Sequence, residues 1–522
     1  MEANNRIVIV IDFGGQYTHL IARRIRELGI HSEILSWDVN VELLREKNIG
    51  AVIFSGGPFS VYNQAAPQLT EAVMEFFITK KIPVLGLCYG HQFLAHYFGG
   101  GVSKGEQKEY GHTEIEIIDF TRLFKGLENK SSVWMSHGDK VSILPKNFVK
   151  TASSKNCSIA AMAHKNLKIF GLQFHPEVIH TKEGKNILRN FLFSISSLEK
   201  NWSMKNYIEE QVINLRKIIG NKRVIMGVSG GVDSLVAATL LHKSIGERLF
   251  CIFVDHGLMR KKEPEQVERI FKDILQFKHF HRINVQEEFL EALNGISDPE
   301  EKRKIIAHKF IEIFERVEKQ LEKKYGSFGF LGQGTIYPDR IESAQPSKTA
   351  AKIKSHHNVT LPEKMSLEVI EPLKDLYKDE VRIVGRLLNL PDELITRHPF
   401  PGPGLAVRIL GKITKEKLQT LKEADDIFIQ ELKERGEYNN YWQSLAILLP
   451  VKSVGVMGDE RTYEWTIVLR SVDSVDAMTA DWSRIPYETL AAISNKIVNS
   501  VKKVNRVVFD ITSKPPGTIE WE

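Results

Sequence analysis

Arg223-Val-Ile-Met-Gly-Val-Ser-Gly-Gly-Val-Asp-Ser-Leu-Val-Ala-Ala-Thr-Leu-Leu-His242 is the stretch from which the rest of the chain can be read. Val224, Ile225, Met226 and Val228 form an apolar run of the kind found in a strand buried on both faces. The run breaks at Ser229-Gly230-Gly231. Helical spacing then begins at Ser234, with Leu235, Ala238 and Leu241 on one face. Two adjacent glycines let backbone N–H groups turn inward without Cβ clashes, and the helix N-terminus adds positive potential. The hydroxyls of Ser229 and Ser234 add donors. Such a loop suits phosphate oxygens, the plainer alternative being an ordinary glycine-rich strand-to-helix turn.

The spacing is not that of a Walker A loop, because no lysine lies inside it and Asp233 stands there instead. A carboxylate beside phosphates is repelled unless a divalent cation bridges them, so the loop implies ATP with Mg2+. Strand, Ser-Gly-Gly-Val-Asp-Ser234 and helix together resemble the ATP pyrophosphatases, which split ATP between its α- and β-phosphates. Ser229, Gly230, Gly231, Val232, Asp233 and Ser234 are the nucleotide contacts this implies. Leu249 to Asp255 reads as a second buried strand, and its terminal carboxylate lies where nucleotide folds often meet the adenosine end. Asp339 either shares magnesium with Asp233 or caps a turn. Residues 343–366, with Lys348, Lys352 and Lys354, read as a lid over the phosphate site. His356-His357 lacks a second ligand pair at metal spacing.

A length of 522 residues predicts about three domains, and 42% hydrophobic with 26% charged residues is a globular balance. No apolar run approaches the ~20 residues that span a bilayer, and the chain opens without a charged-then-apolar leader. Three cysteines, Cys88, Cys157 and Cys251, argue against a disulfide framework and for a cytoplasmic enzyme. The formal charge of +6 is small, and no basic stripe or RNA-binding signature supports a nucleic-acid partner.

The first third alternates apolar strands with helical segments, as an α/β sheet requires. Cys88 stands at a strand end between Gly86 and Gly90, just before a helix whose dipole favours thiolate. A lone cysteine is otherwise most simply a packing residue. His175-Pro-Glu177 ends another strand, with the carboxylate placed to orient the imidazole. Ser55-Gly-Gly57-Pro supplies N–H groups suited to an oxyanion. Trp134-Met-Ser-His-Gly-Asp139 reads as a loop near this site, with His137 structural or substrate-positioning. Gly-Leu-Cys88-Tyr-Gly-His-Gln, Ser-Gly-Gly57-Pro and His175-Pro-Glu177, in this order, resemble the class I glutamine amidotransferases. The resemblance implies Cys88 as nucleophile, His175 as acid–base, Glu177 as its orienting partner, and the N–H groups of Gly57 and Tyr89 as oxyanion donors.

Polar Phe193 to Asn201 marks a linker, and rigid His398-Pro-Phe-Pro-Gly-Pro-Gly404 the start of a third region. The expected division is an amidotransferase α/β domain at 6–200, a parallel-sheet ATP pyrophosphatase domain at 201–397, and a smaller α+β domain at 398–522. Lys514, extended by two prolines, is either a surface charge or a phosphate contact. The complete series, adding Gly-Gln333-Gly-Thr, Ile-Lys-Ser-His-His357-Asn and the Lys514 tail, resembles the GMP synthase family. That family implies glutamine, ATP and XMP as substrates and a homodimer built on the last domain. Its tail would bring Lys514, Ile519 and Glu520 to XMP. His256, Gly15 and Thr360 depart from the family pattern, the last bearing on lid flexibility. The rival readings are another glutamine-fed ATP pyrophosphatase, such as an NAD-synthetase-like ligase, and an RNA-modifying enzyme using the same loop.

Overall fold

The computed structural model describes residues 6–337, 339, 367–457, 460–474 and 479–522. The expected lid at 343–366, with Lys348, Lys352, Lys354, His356, His357 and Thr360, lies outside them. The chain separates into two compact units, Met1–Ser203 and Met204–Glu522.

The first unit is built on nine strands: β1 Ile7–Asp12, β2 Ser32–Ser36, β3 Ile49–Phe54, β4 Val84–Leu87, β5 Gly101–Ile117, β6 Lys130–Ile143, β7 Phe148–Ser154, β8 Ala161–His164 and β9 Ile169–Leu172. Their order across the sheet is β2-β1-β3-β4-β9-β8-β7-β5-β6. β1 to β4 and β9 run parallel, while β5 to β8 form an antiparallel extension. Side chains alternate faces along a strand, so β1 feeds two cores at once. Val8 and Val10 join one cluster, and Ile7, Ile9 and Ile11 join the other. That double burial is why the strand reads as an unbroken apolar run. Residues 134–139 are not a loop: they lie within β6, where Val133, Met135 and His137 face inward in alternation.

In the second unit β10 Val224–Gly227, β11 Leu249–Asp255, β12 Phe280–Asn284, β13 Phe330–Gly332 and β14 Glu368–Ile370 make a wholly parallel sheet. Its order, β12-β11-β10-β13-β14, reverses direction between β10 and β13. A ligand crevice opens at such a switch point, outside the carboxyl ends of the two strands. The helix Pro299–Tyr325 packs over the sheet and starts as expected, with the Asp298 side chain accepting from Glu301 N at 2.8 Å.

A second sheet follows from β15 Gln443–Met457, β16 Glu460–Asp473, β17 Asp481–Trp482 and β18 Val504–Asp510. It belongs to the region expected at 398–522, yet its core is continuous with that of 201–397. Ile225 and Phe250 of the parallel sheet share one cluster with Phe428 and Ile467. The joint is Pro399–Gly404. Leu405 N donates to Leu258 O at 2.8 Å, and Gly404 has φ +65°, where an added Cβ would lie 2.3 Å from the same carbonyl. Gly404→Ala is therefore expected to destabilise the second unit by roughly 1–3 kcal/mol. A urea melt of the full chain would record this as a lower midpoint for the transition of residues 204–522. Among the described residues, no helix is long and apolar enough to cross a membrane.

Candidate active sites

In the first unit Cys88 lies between β4 and the helix Tyr89–Tyr97 with φ +49° and ψ −101°. The turn is held by Cys88 N donating to Leu172 O at 2.7 Å and Gly90 N to Ser55 O at 3.0 Å. Both flanking glycines are required by space. A Cβ at Gly86 would sit 2.4 Å from Gly90 O, and one at Gly90 would sit 2.6 Å from Phe54 Cβ. The strained turn thus pins the sulfur where strand, helix and glycine loop meet.

His175 follows β9, and its Nδ1 lies 2.7 Å from Glu177 Oε1. Its backbone is tied at both polar groups: N donates to Trp134 O at 3.1 Å and O accepts from Thr181 Oγ1. Burial disfavours the imidazolium, but the Glu177 carboxylate and the hydrogen bonds to Cys88 and Glu177 outweigh it. The pKa of His175 is consequently raised well above its ordinary value. Gly56 packs on the pair, since its absent Cβ would be 3.2 Å from His175 Cε1 and 3.7 Å from Cys88 Cβ. Gly57 lies against Phe13 and Tyr89, and Tyr89 opens its helix, where an N–H has no intrahelical partner. Cys88, His175, Glu177 and the two expected oxyanion donors are thereby gathered at one place. Gln173 was not foreseen there; its Nε2 lies 3.8 Å from Cys88 Sγ.

Glu177→Gln removes the charge that raises the His175 pKa. The alkaline limb of the Cys88-dependent activity, where the imidazolium is lost, is expected to move to lower pH. A profile of kcat/KM against pH reads this directly, and an unmoved limb would refute the pairing. The sign for stability is the same. A raised folded pKa stabilises below the unfolded value near ~6.5 and loses that contribution as pH rises through the folded one.

In the second unit the loop after β10 borders a cavity of about 630 Å³ at the switch point. Ser229, Gly230, Gly231, Val232, Asp233, Ser234 and Asp339 all line it. Gly230 has φ +78°, and a Cβ there would lie 2.5 Å from Val267 Cγ2. Ser229 Oγ and Ser234 Oγ are 3.2 Å apart, drawing the loop closed over the helix Val232–Ile245. The Gln333-Gly334 turn after β13 packs on the same helix start, with a Cβ at Gly334 lying 3.0 Å from Ser234 N. Asp233 Oδ2 pairs with Lys378 Nζ, while Asp233 Oδ1 is buried without a hydrogen-bond partner. Asp339 Oδ2 accepts from Ile336 N at 3.1 Å, so it caps a turn and also faces the cavity.

Asp255 is placed differently from the nucleotide contact expected of it. Its carboxylate is fully buried and bound by Arg282 Nη2 at 2.7 Å and Gln286 Nε2 at 3.1 Å, away from the cavity lining. The neighbouring His256 lines the cavity in its stead. Four cations absent from the sequence reading also do so: Arg260, Arg303, Lys378, and Arg397, whose Nη1 donates to Gly230 O at 2.9 Å. The only sequence signal for Arg397 is its place just before His398-Pro-Phe-Pro.

The tail is docked rather than extended. Gly517 N donates to Ser513 O, and Lys514 forms a β-bridge with Ala480. Ile519 is buried beside Val472 and Ala480. Glu520 accepts from the fully buried Arg408 at 2.8 and 3.0 Å and from Gln443 at 2.9 Å. Glu522 pairs with buried Lys302.

A sequence family described as "Glutamine amidotransferase class-I" matches residues 9–195, and one described as "GMP synthase C terminal domain" matches residues 430–521. A relative from Aquifex aeolicus, "GMP synthase [glutamine-hydrolyzing]", is 52% identical over 518 residues, covering 99% of both chains. One of the same description from Thermosipho melanesiensis is 52% identical over 519 residues, covering 99% of this chain and 100% of its own. With this likeness running the length of a chain that holds both sites, the protein belongs to the glutamine-hydrolysing GMP synthase family.

Proposed function

We propose that the chain makes GMP from XMP, taking nitrogen from glutamine and driving force from MgATP. The observation that supports this is the presence of two candidate reaction sites on one chain, a Cys88–His175–Glu177 triad and an Asp233-bearing loop on a cavity. Cys88 attacks the glutamine side-chain amide, and the N–H groups of Gly57 and Tyr89 receive the negative charge on oxygen. His175 gives its proton to the departing ammonia, then takes one from the water that hydrolyses the thioester to glutamate.

In the second site the N–H groups of Gly230 and Gly231 and the helix start bind ATP phosphates, with Ser229 and Ser234 donating. The unpartnered Oδ1 of Asp233 and the Asp339 carboxylate fit a magnesium ion. Bound there, the ion would neutralise the phosphate oxygens as pyrophosphate leaves. Lys378, released from Asp233, is positioned to hold the same oxygens. The C2 oxygen of XMP attacks the α-phosphorus and expels pyrophosphate; ammonia then attacks C2 and AMP departs. A purine C2 oxygen is a poor leaving group until it carries AMP, which is why the two reactions are joined. Lys514, Ile519 and Glu520 are the XMP contacts in this reading, with Glu520 having to exchange its Arg408 pairing for the nucleotide.

We further place the enzyme in the cytoplasm as a homodimer. Val454, Val456 and Tyr463, exposed along the β15–β16 hairpin, are the apolar surface that supports a dimer. Sedimentation at micromolar concentration checks it, and a monomer would overturn it. The activity is tested by mixing protein, MgATP, glutamine and XMP and following AMP, pyrophosphate and GMP. Absence of XMP-dependent pyrophosphate release would overturn the reading.

A further inference from the structure

We propose that Glu109, His137 and Cys157 form a buried site for one divalent ion of the zinc class, separate from the catalytic triad. Glu109 on β5 and His137 on β6 stand opposite each other in the antiparallel ladder. Cys157 comes from the turn after β7, where Cys157 N donates to Ser154 Oγ at 3.0 Å. All three are closed to solvent, with exposures of 5%, 6% and 0%. One donor atom from each lies within 4.8 Å of the other two. A tetrahedral ion with bonds of about 2.0–2.3 Å holds its donors roughly 3.3–3.8 Å apart, so small side-chain rotations complete the site.

Proton accounting favours a cation here. His137 Nδ1 lies 3.0 Å from the carbonyl oxygen of Asp139, so that nitrogen carries the hydrogen. The lone pair of Nε2 then faces Glu109 Oε2 at 3.1 Å, and neither atom has a further hydrogen-bond partner. Two buried lone pairs cannot face each other at that distance without positive charge between them. A proton would serve only these two groups. A divalent ion serves the thiolate as well.

The surroundings are those of metal ligands. Glu109 Oε1 accepts from Ser154 Oγ at 3.1 Å, and the His137 Nδ1–H bond to a carbonyl fixes the ring. Lys140 Nζ donates to Asn156 O at 2.9 Å and so holds the turn that carries Cys157. Thiolate with imidazole and a single carboxylate selects zinc over magnesium or calcium. An open groove of about 660 Å³, lined by Glu109, Ser154 and Asn156, adjoins the site on its Glu109 side. Ser136, next to His137, takes the Cys88 Sγ contact at 3.5 Å, so the ion would clamp the strand facing the nucleophile.

The test uses the full-length Cys88→Ser chain, stripped with a chelator and titrated with Co2+. Only Cys157 and Cys251 then remain, and Cys251 is sealed inside β11. One equivalent of cobalt is expected, with a sulfur charge-transfer band and tetrahedral visible bands, displaced by one equivalent of Zn2+. Adding Cys157→Ser should abolish the sulfur band, and adding His137→Gln should weaken binding at least about tenfold. X-ray absorption of the zinc-loaded Cys88→Ser chain decides independently of how those variants fold, and one sulfur in the shell is expected. Failure to bind cobalt, a shell without sulfur, or a sulfur band surviving Cys157→Ser would each overturn the proposal.

Discussion

Cys88→Ala will lower glutamine-dependent GMP formation at least about 10³-fold while leaving formation from added ammonium close to wild type. The loss follows from geometry. The sulfur is the nucleophile held against His175 and Gly56, and the triad's other members cannot attack an amide without it. The retention follows from packing. Cys88 lies in the unit Met1–Ser203, between the core residues Leu87 and Tyr89, whereas the phosphate loop belongs to the unit Met204–Glu522 and follows Ile225 of that unit's core. Removing one sulfur from a site that is already 6% exposed leaves that second core untouched. Ammonium supplies its uncharged form in useful amounts above pH ~8, so the assay belongs there. Initial rates with glutamine and with ammonium chloride, at saturating MgATP and XMP, make the comparison. Equal loss of both activities would show that the two chemistries are not divided as the residues divide them.

Both sites were legible because their decisive residues are local. Strand, Ser229-Gly230-Gly231 and helix follow one another directly, as do β4, Cys88 and its helix, and the sheet order then places each turn at a strand's carboxyl end. What escaped the sequence depends on partners far apart in the chain. Asp255 reads as a nucleotide contact until Arg282, 27 residues on, is seen bound to it. Lys378 is 145 residues from Asp233, and Arg408 is 112 from Glu520. No period of 2 or 3.6 carries such pairings. The misreading of 134–139 has a different cause. Its inward positions include His137, so the alternation that marks a strand is broken by a buried polar residue. That same residue, on the further inference, is a ligand, which is where sequence pattern and local structure are expected to part.

Asp233→Asn will reduce XMP-dependent pyrophosphate release by roughly 10²–10³-fold, while a glutamine-like chloroketone will label Cys88 at the wild-type rate. Asparagine keeps the shape and hydrogen-bonding size of the side chain and removes only its charge. The charge has two tasks: it binds Lys378 in the resting site, and through the unpartnered Oδ1 it offers a ligand to the magnesium that accompanies ATP. Loss of the first is mild, because an ion pair with Lys378 40% exposed contributes at most about 1 kcal/mol. The variant should accordingly fold and bind XMP. Loss of the second leaves, of the two carboxylates proposed to hold the ion, only that of Asp339. If shape rather than charge mattered, Asp233→Asn would be nearly silent and Asp233→Ala would be the damaging change. Pyrophosphate release measured for both variants across a magnesium titration separates the two cases: charge predicts that excess magnesium partly rescues Asn, and shape predicts no such response.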